Sequence, residues 1–380
     1  MSNKIEKRLL IVDASSFLYR AFHALPDLRN KRGEPTGALF GIINMLKKVR
    51  IDWPSQVGAC IFDPKGPTFR SKIYPDYKAT RSSMPDDLSR QIPPIFEVVK
   101  ALGWPFIQVD GYEADDVIGT IVTSAEEQGF NSVIISGDKD LTQLVNEKTI
   151  LVDTMSRHGG SGKVYDLDAV KEKFGVFPNQ IIDFLTLVGD QSDNIPGVEK
   201  VGPKTASKLI SQYGSVDNII KASGSIKGVV GKNLIESKEW IPTGKNLVTI
   251  RKNCPKIEKL INRIEQYLQW QEIDFEKIAY LKKEYELDRV LGNISDSLSP
   301  KNYGGDLDYS KKQISDTYDQ NDSKKYDLNY ETVLDQNSLN KLLKKISNQS
   351  LVAFDTETTS LNTREAKLVG ISFSWEVGSG

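Results

Sequence analysis

Four short apolar runs constrain this chain more than anything else in it. "RLLIVDA", "QVGACIFD", "WPFIQVDG" and "NSVIISGDKD" read as buried strands bounded by turn residues. Helical patterns lie around and between them: "SSFLYRAFHAL", "GALFGIINMLKKVR", "LSRQIPPIFEVVKALG" with its proline irregularity, and "EADDVIGTIVTSAEEQG". This βαβα rhythm predicts an α/β domain with a mostly parallel central sheet flanked by helices.

From about Asp166 the strands give way to helices, in "DLDAVKEKFG", "NQIIDFLTLVG", "GPKTASKLISQYG" and "SVDNIIKAS". The expected organisation is an α/β core over residues 1–165, then a helical subdomain over 166–291. Residues 292–327 are poor in large apolar side chains and read as a flexible linker. Residues 328–380 hold two strand-like runs, "LVAFDTETTSL" and "KLVGISFSWEVG", too few for a whole domain.

Composition narrows the chemistry. His23 and His158 are too few for a histidine metal site, and triad chemistry is equally poorly supplied. Cys60 and Cys254 form no ligand pattern, which suits a reduced, cytosolic protein. No apolar run approaches the roughly 20 residues of a membrane span, and the N-terminus lacks a signal-peptide core. A net charge of −1 hides segregation: residues 1–100 hold 17 Lys/Arg against 10 Asp/Glu, and residues 101–200 hold 7 against 17. An acidic middle beside basic flanks suits a cation-loaded centre with phosphate-gripping surroundings.

The acids fall at telling places. In a parallel α/β sheet, ligands bind beyond the carboxyl ends of the strands. Asp13 and Asp63 end the first two strands, Asp138 and Asp140 follow another, and "GYEADD" delivers Glu113, Asp115 and Asp116 to a helix start. Asp190 and Asp193 lie in a loop between helices. Any one of these could be an N-cap or turn former. Two carboxylates about 4 Å apart, however, repel by roughly 4 kcal/mol at an effective dielectric of 20. A helix dipole returns only about 0.3–1 kcal/mol. Oxygen ligands without His or Cys point to Mg²⁺ or Mn²⁺.

Two stretches could grip phosphate. "IPGVEKVGPKTASKL" imitates a P-loop, but Pro203 follows Gly202 where lysine is required, and no strand precedes it. It remains a glycine-edged hairpin, Gly197 to Gly202, with Lys204 and Thr205 at a helix start. "FRSKIYPDYKATRSSMPDD" interleaves Arg70, Lys72, Lys78 and Arg81 with Phe69, Tyr74 and Tyr77, as a mobile segment that grips phosphates and stacks a base would.

"IVDASSFLYRAFHALP", "FDPKGPTFRSKIYPDYKATR", "GYEADDVIG", "SGDKDLTQLV" and "VGDQSDNIPGVEKVGPKTA" together resemble the 5′-nuclease domain of the bacterial DNA polymerase I family, in the flap-endonuclease superfamily. "VAFDTETTSL" resembles the first motif of that family's 3′–5′ exonuclease domain. The resemblance implies a PIN-like core and a helical arch near residues 64–90. It also implies a helix-hairpin-helix-type motif in the helical subdomain. All nine acids named above match metal-site positions, for two or more Mg²⁺ or Mn²⁺ ions. Lys78 and Arg81 would lie in the arch with Tyr77 stacking a base, and Arg20 and Arg70 would face the scissile phosphate. Gly197, Gly202, Lys204 and Thr205 would bind duplex backbone, with K⁺ at the hairpin.

The implied substrates are branched, flapped or nicked DNA and RNA-primed DNA. The implied protein is a monomer in the bacterial cytoplasm, nucleoid-associated and not membrane-bound. Asp355 and Glu357 are two of four proofreading carboxylates, so neither proofreading nor polymerisation is expected of this chain. Two rival readings stay open: a single-strand ribonuclease on a similar acidic core, and a junction-binding module without catalysis.

Overall fold

A computed structural model of the protein describes residues 7–154, 162–292, 331–349, 351–359 and 367–375. The chain divides into two compact units, Met1–Gly305 and Asp306–Gly380.

The first unit is built on one six-stranded sheet. Its strands are β1 (Lys7–Asp13), β2 (Val57–Phe62), β3 (Phe106–Gln108), β4 (Phe130–Ile135), β5 (Thr149–Asp153) and β6 (Lys163–Tyr165). Their order is β3-β2-β1-β4-β5-β6, and every pair is parallel except β5 with β6. The helices of this part are α1 (Ala14–Ala24), α2 (Gly37–Asp52), α3 (Phe69–Ile73), α4 (Asp86–Ser89), α5 (Ile92–Ala101) and α6 (Ala114–Glu127). Successive strand residues face opposite sides. Leu10, Val12, Cys60 and Phe62 therefore share a core with α1, α2 and α5. Leu9, Ile11, Ala59 and Ile61 share the other with α6. A sheet covered on both faces explains why its strands read as continuous apolar runs.

Among the helices that follow are α7 (Leu167–Phe174), α8 (Ile181–Val188), α9 (Pro203–Tyr213), α10 (Val216–Ala222), α11 (Gly228–Glu236) and α12 (Ile241–Val248). Caps set several of their starts. Asp166 accepts the Ala169 N–H at 2.9 Å, and Ser215 accepts that of Asn218 at 3.3 Å. Helix α7 stops where Gly175 takes a φ of 73°. Val170, Ile181, Leu185, Ile210 and Leu247 join the apolar cluster under α6, so these helices have no core of their own.

The expected subdomain of residues 166–291 does not hold together to its end. Gln269 bridges to Val57, and the Trp270 ring packs edge-on against Trp104 with centroids 4.7 Å apart. Gly58 leaves room for that ring; a Cβ there would stand 2.5 Å from it. The helix Phe275–Tyr285 buries Ile278 and Leu281 in the core beside α5. Residues 269–291 thus return to the sheet.

The second unit holds a helix, Gln336–Ser347, and two antiparallel strands, β7 (Ala353–Thr358) and β8 (Leu368–Ser374). None of its described residues is buried. Nearly all of the expected linker lies outside the described residues. Among the described residues, no helix is long and apolar enough to cross a membrane.

Candidate functional site

The chain runs from β1 outward to β2 and β3, then crosses to β4 on the other side of β1. A crevice opens at such a reversal, beyond the carboxyl ends of the strands. Asp13 ends β1, Asp63 follows β2, and Asp138 lies three residues after β4. Asp13 accepts the Ser16 N–H at 3.0 Å as the cap of α1, and the Ser136 hydroxyl at 2.6 Å. Ser136 Oγ accepts the Asp138 N–H at 3.0 Å, and Asp138 accepts that of Asp140 at 2.9 Å. Asp63 accepts the Ala114 N–H at 2.8 Å, which ties the end of β2 to the tip of α6.

Charge is strained here. Burial, then Asp63 and Asp138, push Asp13 up to about 7 against the pull of Ser136 and Ser16. Asp115 lies well above the usual carboxylate range through burial and the charges of Asp138, Asp13, Asp63 and Glu113. Burial raises Asp138 and Asp140 as well, with neighbouring carboxylates adding to it. Asp140 Oδ1 is buried with no hydrogen-bond partner. All-oxygen donors, raised proton affinities and an orphaned oxygen fit a hard divalent cation. The fit is one of charge and donor type, since among the described residues no three such groups are close enough to hold one ion as they stand.

Asp116 departs from its expected place as a metal ligand. It is fully buried, and Arg70 Nη1 and Nη2 donate to its two oxygens at 2.7 and 2.9 Å. It also accepts the Glu113 N–H at 3.3 Å, closing a capping box with Glu113 at the head of α6. Arg70 likewise departs from its expected place on a phosphate, being 3% exposed and spent on Asp116 and the Leu247 and Thr249 carbonyls. Tyr77 cannot stack a base where it stands. It is buried, and its hydroxyl lies 2.9 Å from Glu113 and 2.8 Å from Asp193.

The basic stretch is no free arch. Across residues 64–90 the helices are only α3 and α4. The segment is pinned to the acids: Lys78 N–H donates to the Asp193 carbonyl at 2.9 Å, and Lys78 Nζ lies 2.9 Å from Glu113 and 3.7 Å from Asp193. Lys78 holds a φ of 59°, a left-handed backbone that costs any residue carrying a Cβ. Arg81 pairs with Asp193. Burial works against the charge of Lys78, but Glu113 and Asp193 outweigh it and raise its pKa.

The remaining positions flank this centre. Burial would raise Asp190, yet bonds from Ser192 at 2.8 and 2.6 Å and the nearby Lys139 lower it. Arg20 pairs with Asp153 at 3.0 Å and lies over Gly137, where a Cβ would meet its guanidinium. A cleft lined by Ser16, Arg20, Gly137, Asp138, Lys139 and Lys173 opens there. Gly197 and Gly202 edge a hairpin between α8 and α9, with exposed Lys204 and half-buried Thr205 at the start of α9. Asp355 and Glu357 stand exposed on β7 of the second unit.

Sequence reading misses Ser136, Gly137, Lys139 and Lys173. The signal for the first three is the turn "SGDK" directly after a buried strand; Lys173 carries none.

Residues 8–175 match a family model described as 5′-3′ exonuclease, N-terminal resolvase-like domain. Residues 176–276 match the 5′-3′ exonuclease C-terminal SAM fold, and residues 330–380 match a 3′-5′ exonuclease. DNA polymerase I of Pseudomonas aeruginosa is 40% identical over 97% of this chain, which spans only 39% of that protein. The 5′-3′ exonuclease of Aquifex aeolicus is 45% identical over 57% of this chain and 73% of its own length. A solved structure of the bacteriophage T5 D15 flap endonuclease, a pseudo-enzyme-product complex with DNA and metal ions, matches with a TM-score of 0.55. It is 22% identical and covers 77% of this chain and 99% of that one, a likeness of fold. On these matches, with its mostly parallel sheet and helical C-terminal part, the chain belongs to the 5′-3′ exonuclease family.

Proposed function

We propose that this chain is a divalent-metal-dependent, structure-specific 5′-nuclease. It hydrolyses phosphodiester bonds at the 5′ ends and flaps of branched or nicked duplex DNA, and removes primers as the N-terminal portion of a DNA polymerase I. One observation carries the reading. Asp13, Asp63, Asp115 and Asp138 feel one another's charge at the switch point of the sheet, Asp13, Asp115, Asp138 and Asp140 have their proton affinities raised, and Glu113 beside them is paired with Lys78.

Those five acids, with Glu113, would hold the ions. When bound, two Mg²⁺ or Mn²⁺ ions supply Lewis-acid stabilisation to the phosphate and lower the pKa of water. The chain's own side chains do the rest. Ser136 orients Asp13 and the turn that carries Asp138. Lys78 and Arg81, held at the edge of the acids, neutralise charge developing on the phosphate. The Gly197–Thr205 hairpin offers helix N-terminal N–H groups and Lys204 to the duplex backbone, with K⁺ as its ion. RNA-primed DNA is a further substrate, and the protein acts as a monomer in the bacterial cytoplasm at the nucleoid.

The test is cleavage of a 5′-labelled DNA flap with Mg²⁺, beside an EDTA control and a matched single strand. Cutting at the junction only with metal is expected. Preference for single-stranded RNA, or tight junction binding without cleavage, would overturn the reading.

A further inference from the structure

Arg70 and Asp116 lie behind the acidic centre, and their partners say what they do there. The guanidinium spends its fork on three groups at once. It takes both oxygens of Asp116, the Leu247 carbonyl at 2.8 Å through Nε, and the Thr249 carbonyl at 3.0 Å through Nη2. Asp116 in turn accepts the Arg251 N–H at 2.9 Å. The Thr120 hydroxyl accepts the Cys254 N–H at 3.0 Å and donates to the Asp116 carbonyl at 2.7 Å. Buried Gln143 closes the set, donating to the Val248 carbonyl and accepting the Ile250 N–H, both at 3.0 Å. Residues 247–254 are therefore strapped to the first turns of α6, whose tip carries Glu113 and Asp115.

The strap continues α12. At the other end of α12, Trp240 Nε1 donates to the Pro196 carbonyl at 2.7 Å, beside the glycine-edged hairpin. One rigid path thus runs from the hairpin through Trp240 and α12 to the Arg70–Asp116 pair and the acid-bearing helix. A planar fork can hold a carboxylate and two carbonyls together; an ammonium or an apolar side chain cannot.

We propose that Arg70 and Asp116 are positioning residues, contacting neither metal nor phosphate. They set the distance between the hairpin that grips the duplex and the acids that cut, and so select which phosphodiester is hydrolysed. This rests on the nuclease reading above.

The test uses the full chain and the variants Asp116→Asn and Arg70→Lys, with Gln143→Leu as a third that loosens the same strap without stranding a buried charge. Folding is checked by circular dichroism, products of a 5′-labelled flap are sized at single-nucleotide resolution, and Ca²⁺ stoichiometry is measured by calorimetry without DNA. Expected are cuts spread over neighbouring phosphodiesters, a turnover loss of about tenfold to a hundredfold from sub-ångström to ångström misplacement, and the parent's Ca²⁺ count. An Asp116→Asn protein that binds one ion fewer would make Asp116 a ligand and overturn the proposal. So would folded variants that keep the parent's single cut, including Gln143→Leu alone should the other two not fold. A parent that cuts no flap would sink the nuclease reading itself.

Discussion

Asp13 is held in a state that water would not give it. Its folded pKa of about 7 stands above the ordinary 3.8, so the folded protein binds more protons between those values than the unfolded chain does. Stability must then fall as pH rises through that window. Asp115, Asp138 and Asp140 are shifted in the same direction and add to it. In EDTA, the melting temperature should drop between pH 5 and pH 7.5, by about 2–4 °C for each kcal/mol lost. Mg²⁺ should raise it more at pH 7.5 than at pH 5. Scanning fluorimetry at both pH values decides, and a metal-free melting temperature that is flat or climbs with pH would contradict the strained cluster. The buried pair behind the site makes a different prediction. Arg70→Met strands the Asp116 carboxylate and should cost about 3–5 kcal/mol, read by chemical denaturation.

At the scale of elements, the tip of α6 carries two jobs in three positions. Glu113 and Asp116 close the capping box, while Asp115 reaches the other acids. Sequence reading took Glu113, Asp115 and Asp116 together as metal-site acids, because nothing local announces that Asp116 has a partner 46 residues away in α3. The acids at strand ends were legible for the opposite reason: a buried parallel strand fixes where its last residue goes, whatever its distant neighbours. The segment from Tyr77 to Arg81 was legible as cationic and aromatic but not as docked, since docking depends on Asp193 in a separate loop. Removing that cation should act on chemistry rather than grip, so Lys78→Ala should lower kcat more than it raises KM. Equal changes would make Lys78 a phosphate anchor only. At the hairpin the expectation reverses. Lys204→Ala should weaken DNA binding and reduce the log–log salt slope by about one, and an unchanged slope would remove Lys204 from the contact.

For the molecule as a whole, alternation of strands and helices is a local signal and was readable along the chain. The return of residues 269–291 to the sheet was not, because the Trp270–Trp104 packing and the bridge of Gln269 to Val57 join segments far apart in sequence. The helices from α7 to α12 read as a separate body for the same reason: each shows its own apolar stripe, and only the assembled structure reveals that they share the core under α6. That return has a consequence for synthesis. A ribosome making about 5–20 residues per second finishes β1 to β6 long before it reaches Trp270, leaving the slot over Gly58 open to water for on the order of ten seconds. The nascent sheet waits, incompletely clad, for the segment around Trp270 that will seal it, and that interval is when chaperones would have their best hold on the protein.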